Sequence, residues 1–153
     1  ATSTAAQTAI AAGGAGLTIA KLRTAKQTFD LASVDPSIPR HIVVGPEQIT
    51  NLLSTTEVTS SDFNTVKALV QGEIDSFLGF KFTVSNRLAK SGNDRTCIAF
   101  AQDGITLAIG KDVSARIDER ADKSYATQVY YCQSIGATRM EEAKVLGIVC
   151  QEA

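Results

Sequence analysis

The stretch DFNTVKALVQGEIDSFLGFKFTVS, residues 62–85, decides the fold that the sequence predicts. Its first part carries apolar side chains at positions i, i+3, i+6 and i+7, which is the spacing of one helix face. These side chains belong to Phe63, Val66, Leu69 and Val70. Ser61 occupies the N-cap position, and Gly72 follows the apolar stripe where a left-handed C-cap residue is favoured. We therefore expect a short amphipathic helix that ends at Gly72.

The second part of the stretch predicts a turn followed by a half-buried strand. Leu78, Gly79 and Phe80 form the turn, because glycine adopts a positive φ without a steric clash. From Phe80 to Ser85, apolar and polar residues alternate with the period of two that marks a strand with one buried face. The stretch contains no evident catalytic group. Its predicted role is packing, with Gly72, Gly79 and Phe80 as structural turn residues.

Length and charge restrict the classes of protein to which the chain can belong. A chain of 153 residues has the size of one domain and buries roughly 70% of its unfolded surface on folding. Its 15 basic and 16 acidic residues give a formal net charge of −1, which offers no basic footprint for tight nucleic-acid binding. No apolar run approaches the roughly 20 residues that a membrane-spanning helix requires. We expect a globular domain with no membrane partner.

The residue types that usually carry catalysis or bind metals are scattered. Cys97, Cys132 and Cys150 are far apart and form no C-x-x-C motif, so we expect three buried structural thiols. His41, the only histidine, lies in an apolar strand and has no second histidine with which to share a metal. Gly13–Gly16 precedes a helix but lacks the lysine and hydroxyl residue of a phosphate-binding loop. The sequence predicts no catalytic, cofactor-binding or metal site, and no enzyme.

The N-terminal part combines a flexible segment with an amphipathic helix. Residues 1–16 contain small and polar residues and one isoleucine, and the glycines at their end predict a flexible joint. Apolar residues recur at helical spacing from Thr18, the expected N-cap, to about Ser33. The basic side chains between them are expected to form a solvated face: Lys21, Arg23 and Lys26.

The remaining segments mix strands with one more helix. We expect strands at His41–Val44, Thr96–Ala101, Ser124–Ile135 and Ala143–Val149, and a helix that begins at Pro46. Gly136 is expected to break the third of these strands, and Ile105–Ile109 fits either a strand or a helix. Asp118–Lys123 is expected to form a charged, exposed turn. Because helices and strands do not repeat as βα units, the α+β class is favoured.

Four segments carry a resemblance to a known family. They are GLTIAKL (16–22), PRHIVVGPEQITNLL (39–53), SDFNTVKALVQGEIDSFLGFKFTVSNRL (61–88) and IDERADKSYATQVYYCQSIGATRMEEAKVLGI (117–148). In this order they resemble the major capsid (coat) protein of tailed bacteriophages, which has the Hong-Kong-97-type fold. The most specific piece is the G-x-I-x-x-F-x-G-F run from Gly72 to Phe80.

The resemblance implies a fold with two domains. A long spine helix at residues 17–34 and long strands at 113–142 would form a peripheral domain. Residues 35–112 and 143–153 would form a mixed α/β axial domain. Residues 1–16 would be a flexible N-terminal segment, the end of an extended loop or arm. Full-length coat proteins carry an N-terminal arm and an extended loop before the spine helix, so we expect the chain to be a fragment that lacks most of both.

The implied function is to build the icosahedral shell of the virion around double-stranded DNA, with assembly in the cytoplasm of the bacterial host. The implied partners are copies of the chain in pentamers and hexamers, together with portal, scaffolding or decoration proteins. The packaged DNA would be contacted weakly, and the nearly neutral charge fits this, since many phosphate contacts would hold the genome in place. No residue would be catalytic, and no cofactor would be needed.

Charged residues near the end of the chain are the candidate subunit-interface residues. They are Arg120, Lys123, Arg139, Glu141 and Glu142. Both signs lie close together, which suits salt bridges between identical subunits, although a solvated face is equally compatible. Two other functions stay open. One is an encapsulin, which has the same fold and encloses a cargo enzyme. The other is a small α+β ligand-binding or enzymatic domain with a concave pocket.

Overall fold

A computed structural model describes residues 9–54 and 76–152 of the chain. The elements of this part are β1 (Ala9–Ile10), α1 (Ile19–Leu31), β2 (Arg40–Val44), α2 (Pro46–Ser54), β3 (Ser76–Phe77), β4 (Phe80–Val84), β5 (Lys90–Ser91), β6 (Asp94–Ala101), β7 (Ile105–Arg120), β8 (Ala126–Arg139) and β9 (Val145–Gln151). Short 3₁₀ turns occupy Gln102–Gly104, Ala121–Lys123 and Glu142–Lys144. The helix predicted over residues 63–70 and its C-cap residue Gly72 lie outside the described residues.

The described strands form one mixed sheet and one separate two-stranded ribbon. Seven strands of this part form the mixed sheet in the order β1-β9-β6-β2-β4-β3, with β5 paired to β6. β1 runs parallel to β9 and β2 parallel to β4, whereas the other pairs of this sheet are antiparallel. Within residues 9–54 and 76–152, two α-helices and mixed strand pairing, with no repeated βα unit, confirm the α+β class.

Helix α1 begins and ends where its local chemistry allows. Thr18 has extended backbone angles, and its hydroxyl oxygen accepts a hydrogen bond from the Lys21 amide at 3.4 Å, which caps the first turn. After the last turn Ser33 adopts a left-handed φ of 56°, and the Val34 amide donates to the Phe29 carbonyl oxygen at 3.1 Å. The helix therefore ends about two residues before the position that the sequence predicts.

The apolar face of α1 packs on the mixed sheet and forms the core. Leu22, Ala25 and Phe29 are fully buried in one cluster with apolar side chains from β2, β4, β6 and β9. The Phe29 and Phe80 rings lie 6.0 Å apart in a tilted arrangement. Burial of a phenylalanine side chain contributes roughly 3 kcal/mol. The contact therefore fixes the helix against β4.

The turn before β4 brings Phe80 into that core. Leu78 and Gly79 have positive φ angles of 54° and 85°, and β3 and β4 pair on either side of them. Along β4, Phe80 and Phe82 are buried whereas Lys81 is exposed, as the alternation predicts. Val84, which the alternation also places on the buried face, is 57% exposed, so the expectation is wrong at the end of the strand. Residues 76–85 thus consist of a tight turn and a half-buried strand.

The chain divides into two compact units, and the smaller one is a long β-hairpin. It comprises Thr106–Thr138, and the described remainder of the chain, residues 9–54, 76–105 and 139–152, belongs to the other unit. Within the hairpin the amide of Tyr125 donates to the carbonyl oxygen of Arg120 at 3.0 Å, which closes the tip. The segment Ile105–Ile109, which fits either a helix or a strand by sequence, is the first part of β7.

The expectation that Lys21 belongs to a solvated face is wrong. Lys21 is only 9% exposed, and its ammonium group donates to the carbonyl oxygens of Ala15 at 2.7 Å, Gly16 at 2.9 Å and Val149 at 3.0 Å. Three charge-assisted hydrogen bonds offset the desolvation of the ammonium group, so burial is tolerated. Arg23 and Lys26 are exposed, as expected.

The expected glycine joint is an ordered connection. The Ala15 amide donates to the Ala12 carbonyl oxygen at 3.1 Å, and the Ala15 carbonyl oxygen accepts from the Gln151 amide at 3.1 Å. Gly16 lies against Asn51, whose side chain would clash with any added Cβ. Because β1 also pairs with β9, residues 9–16 are bound to the last strand of the sheet. Residues 1–8 lie outside the described part.

Two expectations about the hairpin are also wrong. Gly136 does not break the strand, since β8 continues to Arg139; a glycine with ordinary strand angles weakens a ladder without ending it. Cys132 is half-buried, because a two-stranded ribbon alone cannot enclose a side chain, whereas Cys97 and Cys150 are buried as predicted. The charged turn at Asp118–Lys123 is exposed, but its first half belongs to β7.

Candidate subunit-interface surface

The hairpin has two chemically different faces. Successive strand residues point to opposite sides of a ribbon. A Cβ added to Gly110 would lie 3.5 Å from the Ser134 hydroxyl oxygen, so these two even-numbered positions share a face. Arg116, Gln128 and Tyr130 border one cleft, which is again a set of even-numbered positions on both strands. The odd-numbered residues of β7 and β8 therefore share the other face.

The even-numbered face, which we call the polar face, carries a shallow cleft of about 470 Å³. It is lined by Ser114, Arg116, Asp118, Gln128 and Tyr130, and the odd-numbered Lys111 also borders it. Both charge signs and several hydrogen-bonding groups are present. The polar face is chemically suited to water or to a polar partner.

The odd-numbered face, which we call the apolar face, exposes large aliphatic and aromatic side chains. Their exposed fractions range from 50% to 71% for Leu107, Ile109, Val113, Ile117, Val129, Tyr131 and Ile135. A two-stranded hairpin alone is marginally stable in water, and a contiguous exposed apolar patch usually marks a contact surface. This face was not predicted, although the alternation of apolar residues along β7 is a sequence signal for it.

The tip of the hairpin holds two of the candidate interface residues, Arg120 and Lys123. The Arg120 guanidinium donates to both carboxylate oxygens of Asp122, at 2.9 and 2.5 Å. Lys123 is exposed in the 3₁₀ turn that follows β7. Ser124 and Tyr125 have left-handed φ angles of 53° and 60°, and Tyr125 is 72% exposed. A bulky residue at positive φ is strained, so the tip presents an aromatic side chain at an energetic cost.

The other three candidates lie together in the larger unit and pair within the chain. Arg139 forms an ion pair with Glu142 at 2.7 Å, and Lys144 contacts Glu141 at 2.9 Å and Asp103 at 2.6 Å. Hydrogen bonds from Lys144 to Asp103, and then to Glu141, raise the pKa of the Lys144 ammonium group. This cluster joins the chain entering β7 to the chain leaving β8, where the Met140 amide also donates to the Gly104 carbonyl oxygen at 3.0 Å.

A buried carboxylate near the end of the chain was not predicted. Glu152 is 3% exposed and contacts the Lys90 ammonium group at 2.5 Å, the Arg95 guanidinium and the Gln48 side-chain amide at 3.1 Å. Hydrogen bonds from Arg95, then Lys90 and Gln48, lower the pKa of Glu152 to about 2. The network ties the last residues to α2, β5 and β6. No sequence signal marks it, because a glutamate after an apolar strand ordinarily faces solvent.

His41 and Cys97, whose side-chain types often serve in catalysis, contact other side chains of the chain. His41 stacks on Phe100 with ring centroids 5.6 Å apart. A hydrogen bond with Cys150, together with burial, raises the pKa of the Cys97 thiol. Among the residues that the structure describes, no group of three histidine, cysteine or acidic side chains is placed to hold a metal ion. No helix within residues 9–54 and 76–152 is long and apolar enough to cross a membrane.

Comparison with known proteins decides the family. The family model described as phage capsid protein matches residues 1–152. The chain belongs to this phage capsid protein family. No curated protein matches the chain.

Solved structures show that this capsid protein has the fold of known phage capsids. A structure from Mycobacterium phage Che8 aligns with a TM-score of 0.77 and 20% identity, over 95% of this chain and 54% of that chain. The capsid of Ralstonia phage GP4 aligns with a TM-score of 0.68 and 11% identity, over 96% of this chain and 50% of that one. The expected Hong-Kong-97-type fold is confirmed, and the chain spans about half the length of these structures.

An encapsulin shares the fold more distantly. The holo-SrpI encapsulin complex from Synechococcus elongatus aligns with a TM-score of 0.61 and 9% identity, over 94% of this chain and 53% of that chain. At such identity the likeness concerns the fold alone.

Proposed function

We propose that the chain is part of a major capsid protein that self-assembles into the icosahedral shell of a bacteriophage around double-stranded DNA. The observation that carries this proposal is the match of the phage capsid family over residues 1–152. The exposed hairpin supports it, because a subunit of a closed shell works through its contact surfaces. The product would be a component of the virion, assembled in the cytoplasm of the bacterial host.

In this proposal the partners are other proteins of the particle and its DNA. Copies of the chain form pentamers and hexamers, and portal, scaffolding or decoration proteins join them. The net charge of −1 supports weak contact with the packaged DNA, since few phosphates would be neutralised. The protein performs no catalysis and needs no cofactor. Its role is to form the shell of the particle.

The long hairpin belongs, in this proposal, to the peripheral domain that joins neighbouring capsomers, and the mixed sheet belongs to the axial domain. The assignment of residues 17–34 to the peripheral domain stays a prediction, and α1 packs on the mixed sheet. Arg120, Lys123, Arg139, Glu141 and Glu142 stay proposed interface residues. Because Arg120 and Arg139 already have acidic partners within the chain, contacts between subunits would add to these pairs.

Negative-stain electron microscopy of the purified full-length gene product tests the proposal. Expression in a bacterial host, together with the neighbouring scaffolding gene where one exists, should give closed particles of uniform size. Nuclease treatment before lysis of the particles should leave protected double-stranded DNA inside those from infected cells. A product that stays monomeric and converts a small molecule would contradict the proposal and favour an enzymatic domain.

An encapsulin is the second candidate, because the holo-SrpI encapsulin shares the fold at a TM-score of 0.61. The two functions differ in what the particle encloses. Mass spectrometry of particle contents would show a co-purified cargo protein and no nuclease-protected DNA if the chain formed an encapsulin.

A further inference from the structure

The part of the apolar face that lies between Lys111 and Glu119 of β7 has a symmetric pattern. Its odd-numbered residues from 111 onward are Lys111, Val113, Ala115, Ile117 and Glu119. The two charged residues of this set have opposite signs and lie four positions on either side of Ala115. Between them the set is apolar, with the smallest side chain at its centre.

Such a pattern is complementary to itself in an antiparallel arrangement. If two copies of the hairpin stacked about a two-fold axis at Ala115, Lys111 of each copy would face Glu119 of the other. Val113 would meet Ile117, and the alanines would let the two ribbons approach closely. A self-complementary patch is what a two-fold contact between identical chains requires. Lys111 also borders the cleft of the polar face, and its long flexible stem lets the ammonium group reach either side.

The area of the apolar face indicates how large such a contact could be. A ribbon of two strands with 14 to 16 residues is about 45 Å long and about 10 Å wide, or about 450 Å² per face. Two faces would bury on the order of 900 Å², which is at the low end for specific protein interfaces. The contact would be weak between two isolated chains and strengthened when other contacts hold the copies together.

We propose that the apolar face of the hairpin packs against the same face of a second copy of this chain, about a two-fold axis at Ala115. This inference rests on the proposed function and specifies one of its contacts. It assigns an interface role to residues outside the charged candidates: Leu107, Ile109, Val113, Ile117, Val129, Tyr131 and Ile135.

Sedimentation equilibrium of the 153-residue chain tests the face. Val129 lies on the apolar face and is 69% exposed, whereas its neighbour Gln128 lines the cleft of the polar face. Val129→Lys should raise the dimer Kd at least about tenfold, because a charge would be desolvated in the contact. Gln128→Lys, the matched control on the same strand, should change Kd less than about threefold. Equal effects of the two variants would overturn the proposal.

Charge reversal tests the two-fold arrangement without placing a charge in the apolar centre. Lys111→Glu and Glu119→Lys should each weaken the dimer a few-fold, since like charges would then face each other twice. The double variant K111E/E119K restores both pairs and should recover the original Kd. A double variant that is as weak as the singles would overturn the proposal, as would a chain that stays monomeric at about 1 mM.

Failure of this contact is distinguishable from failure of the proposed function. Suppose that the full-length protein forms DNA-filled shells and that its Val129→Lys and Gln128→Lys variants assemble equally well. The proposed function would then stand, and the proposed contact would be overturned. If V129K loses the dimer but the full-length product never forms particles, the proposed contact would be supported and the capsid function would be contradicted.

Discussion

At the scale of single residues, Lys21 shows how a charged side chain joins distant parts of the chain. Its ammonium group connects the turn before α1 to β9 through three carbonyl oxygens. Helical periodicity gave no reason to separate Lys21 from Lys26, since both lie among polar residues of the same helix. Only the position of the Ala15, Gly16 and Val149 carbonyl groups distinguishes them, and that position depends on tertiary structure.

Replacement of Lys21 by methionine should therefore destabilise the larger unit. Methionine keeps the stem and the helix propensity but removes three charge-assisted hydrogen bonds, and we expect a loss of about 3 kcal/mol in the free energy of unfolding. Urea denaturation followed by circular dichroism measures this loss. Lys26→Met, on the exposed side of α1, is the control and should change the free energy by less than about 0.5 kcal/mol. Similar values for both variants would refute the role given to Lys21.

The Glu152 network predicts a dependence of stability on pH. The pKa of Glu152 is about 2 in the folded protein, against an ordinary value of 4.5. The folded state thus binds fewer protons than the unfolded state between these values, so the stabilisation is complete above about 4.5 and is lost as the pH falls towards 2. Thermal unfolding should show a higher Tm for the wild type than for Glu152→Gln at pH 7, with a difference that shrinks below pH 4.5.

A control for this pH dependence lies on the hairpin. Asp118 is exposed on the polar face, and Asp118→Asn should have nearly the same Tm as the wild type at every pH from 7 to 3. A gap between wild type and E152Q that stays constant over the same range would count against the buried ion network.

At the scale of elements, two glycines, one directly before β7 and one inside β8, differ in their surroundings. A Cβ on Gly104, directly before β7, would lie 2.8 Å from the Lys144 Cβ and 2.9 Å from the Lys144 carbonyl oxygen. A Cβ on Gly136, inside β8, would meet nothing within 4 Å. Backbone has to move to admit the first substitution but not the second.

Gly104→Ala should therefore destabilise the protein by about 2 kcal/mol, since it overpacks the site where β7 begins. Gly136→Ala should be neutral or slightly stabilising, because alanine narrows the unfolded ensemble at no steric cost. Chemical denaturation of the two variants makes the comparison. A larger loss for Gly136→Ala than for Gly104→Ala would contradict close packing of Gly104 against Lys144.

The helices and strands could be predicted where the local pattern of apolar residues matches the side chains that are buried in the structure. β2, β6 and β9 are central strands with runs of apolar residues, and α1 has a cap and an apolar stripe, so all four could be located from sequence. The length of the hairpin was not predictable, because Gly136 and the charged residues near Asp118 normally interrupt strands. They are accommodated here since a ribbon exposed on both faces places few steric demands on its side chains.

At the scale of the whole molecule, the family and the class of fold could be inferred from four segments in order, whereas the interface residues stay a prediction. Arg120, Lys123, Arg139, Glu141 and Glu142 were chosen for mixed charge, and the described pairs among them lie within the chain. Ion pairs within a chain and between chains have the same sequence signature. The apolar face of the hairpin has a distinct sequence signature, which is the alternation of apolar and polar residues along β7.

Reversal of Arg120 to Glu should separate assembly from folding. Its ion pair with Asp122 is exposed, so the free energy of unfolding should fall by less than about 1 kcal/mol. Particle yield should fall several-fold, because the tip would present like charges to its neighbour. Particle yield from gradients and monomer stability from urea melts give the two readings, with Arg87→Glu as an exposed control in the larger unit. Parallel loss of particles and of folded monomer would speak against an interface role.

The most direct test of the whole account is a cryo-electron microscopy reconstruction of particles formed by the full-length protein. The account predicts a closed shell in which the hairpin of residues 106–138 is buried between copies, with Val113 and Ile117 against apolar side chains of another subunit. A reconstruction in which both faces of that hairpin are open to solvent in every subunit, or a preparation with no shell at all, would contradict it.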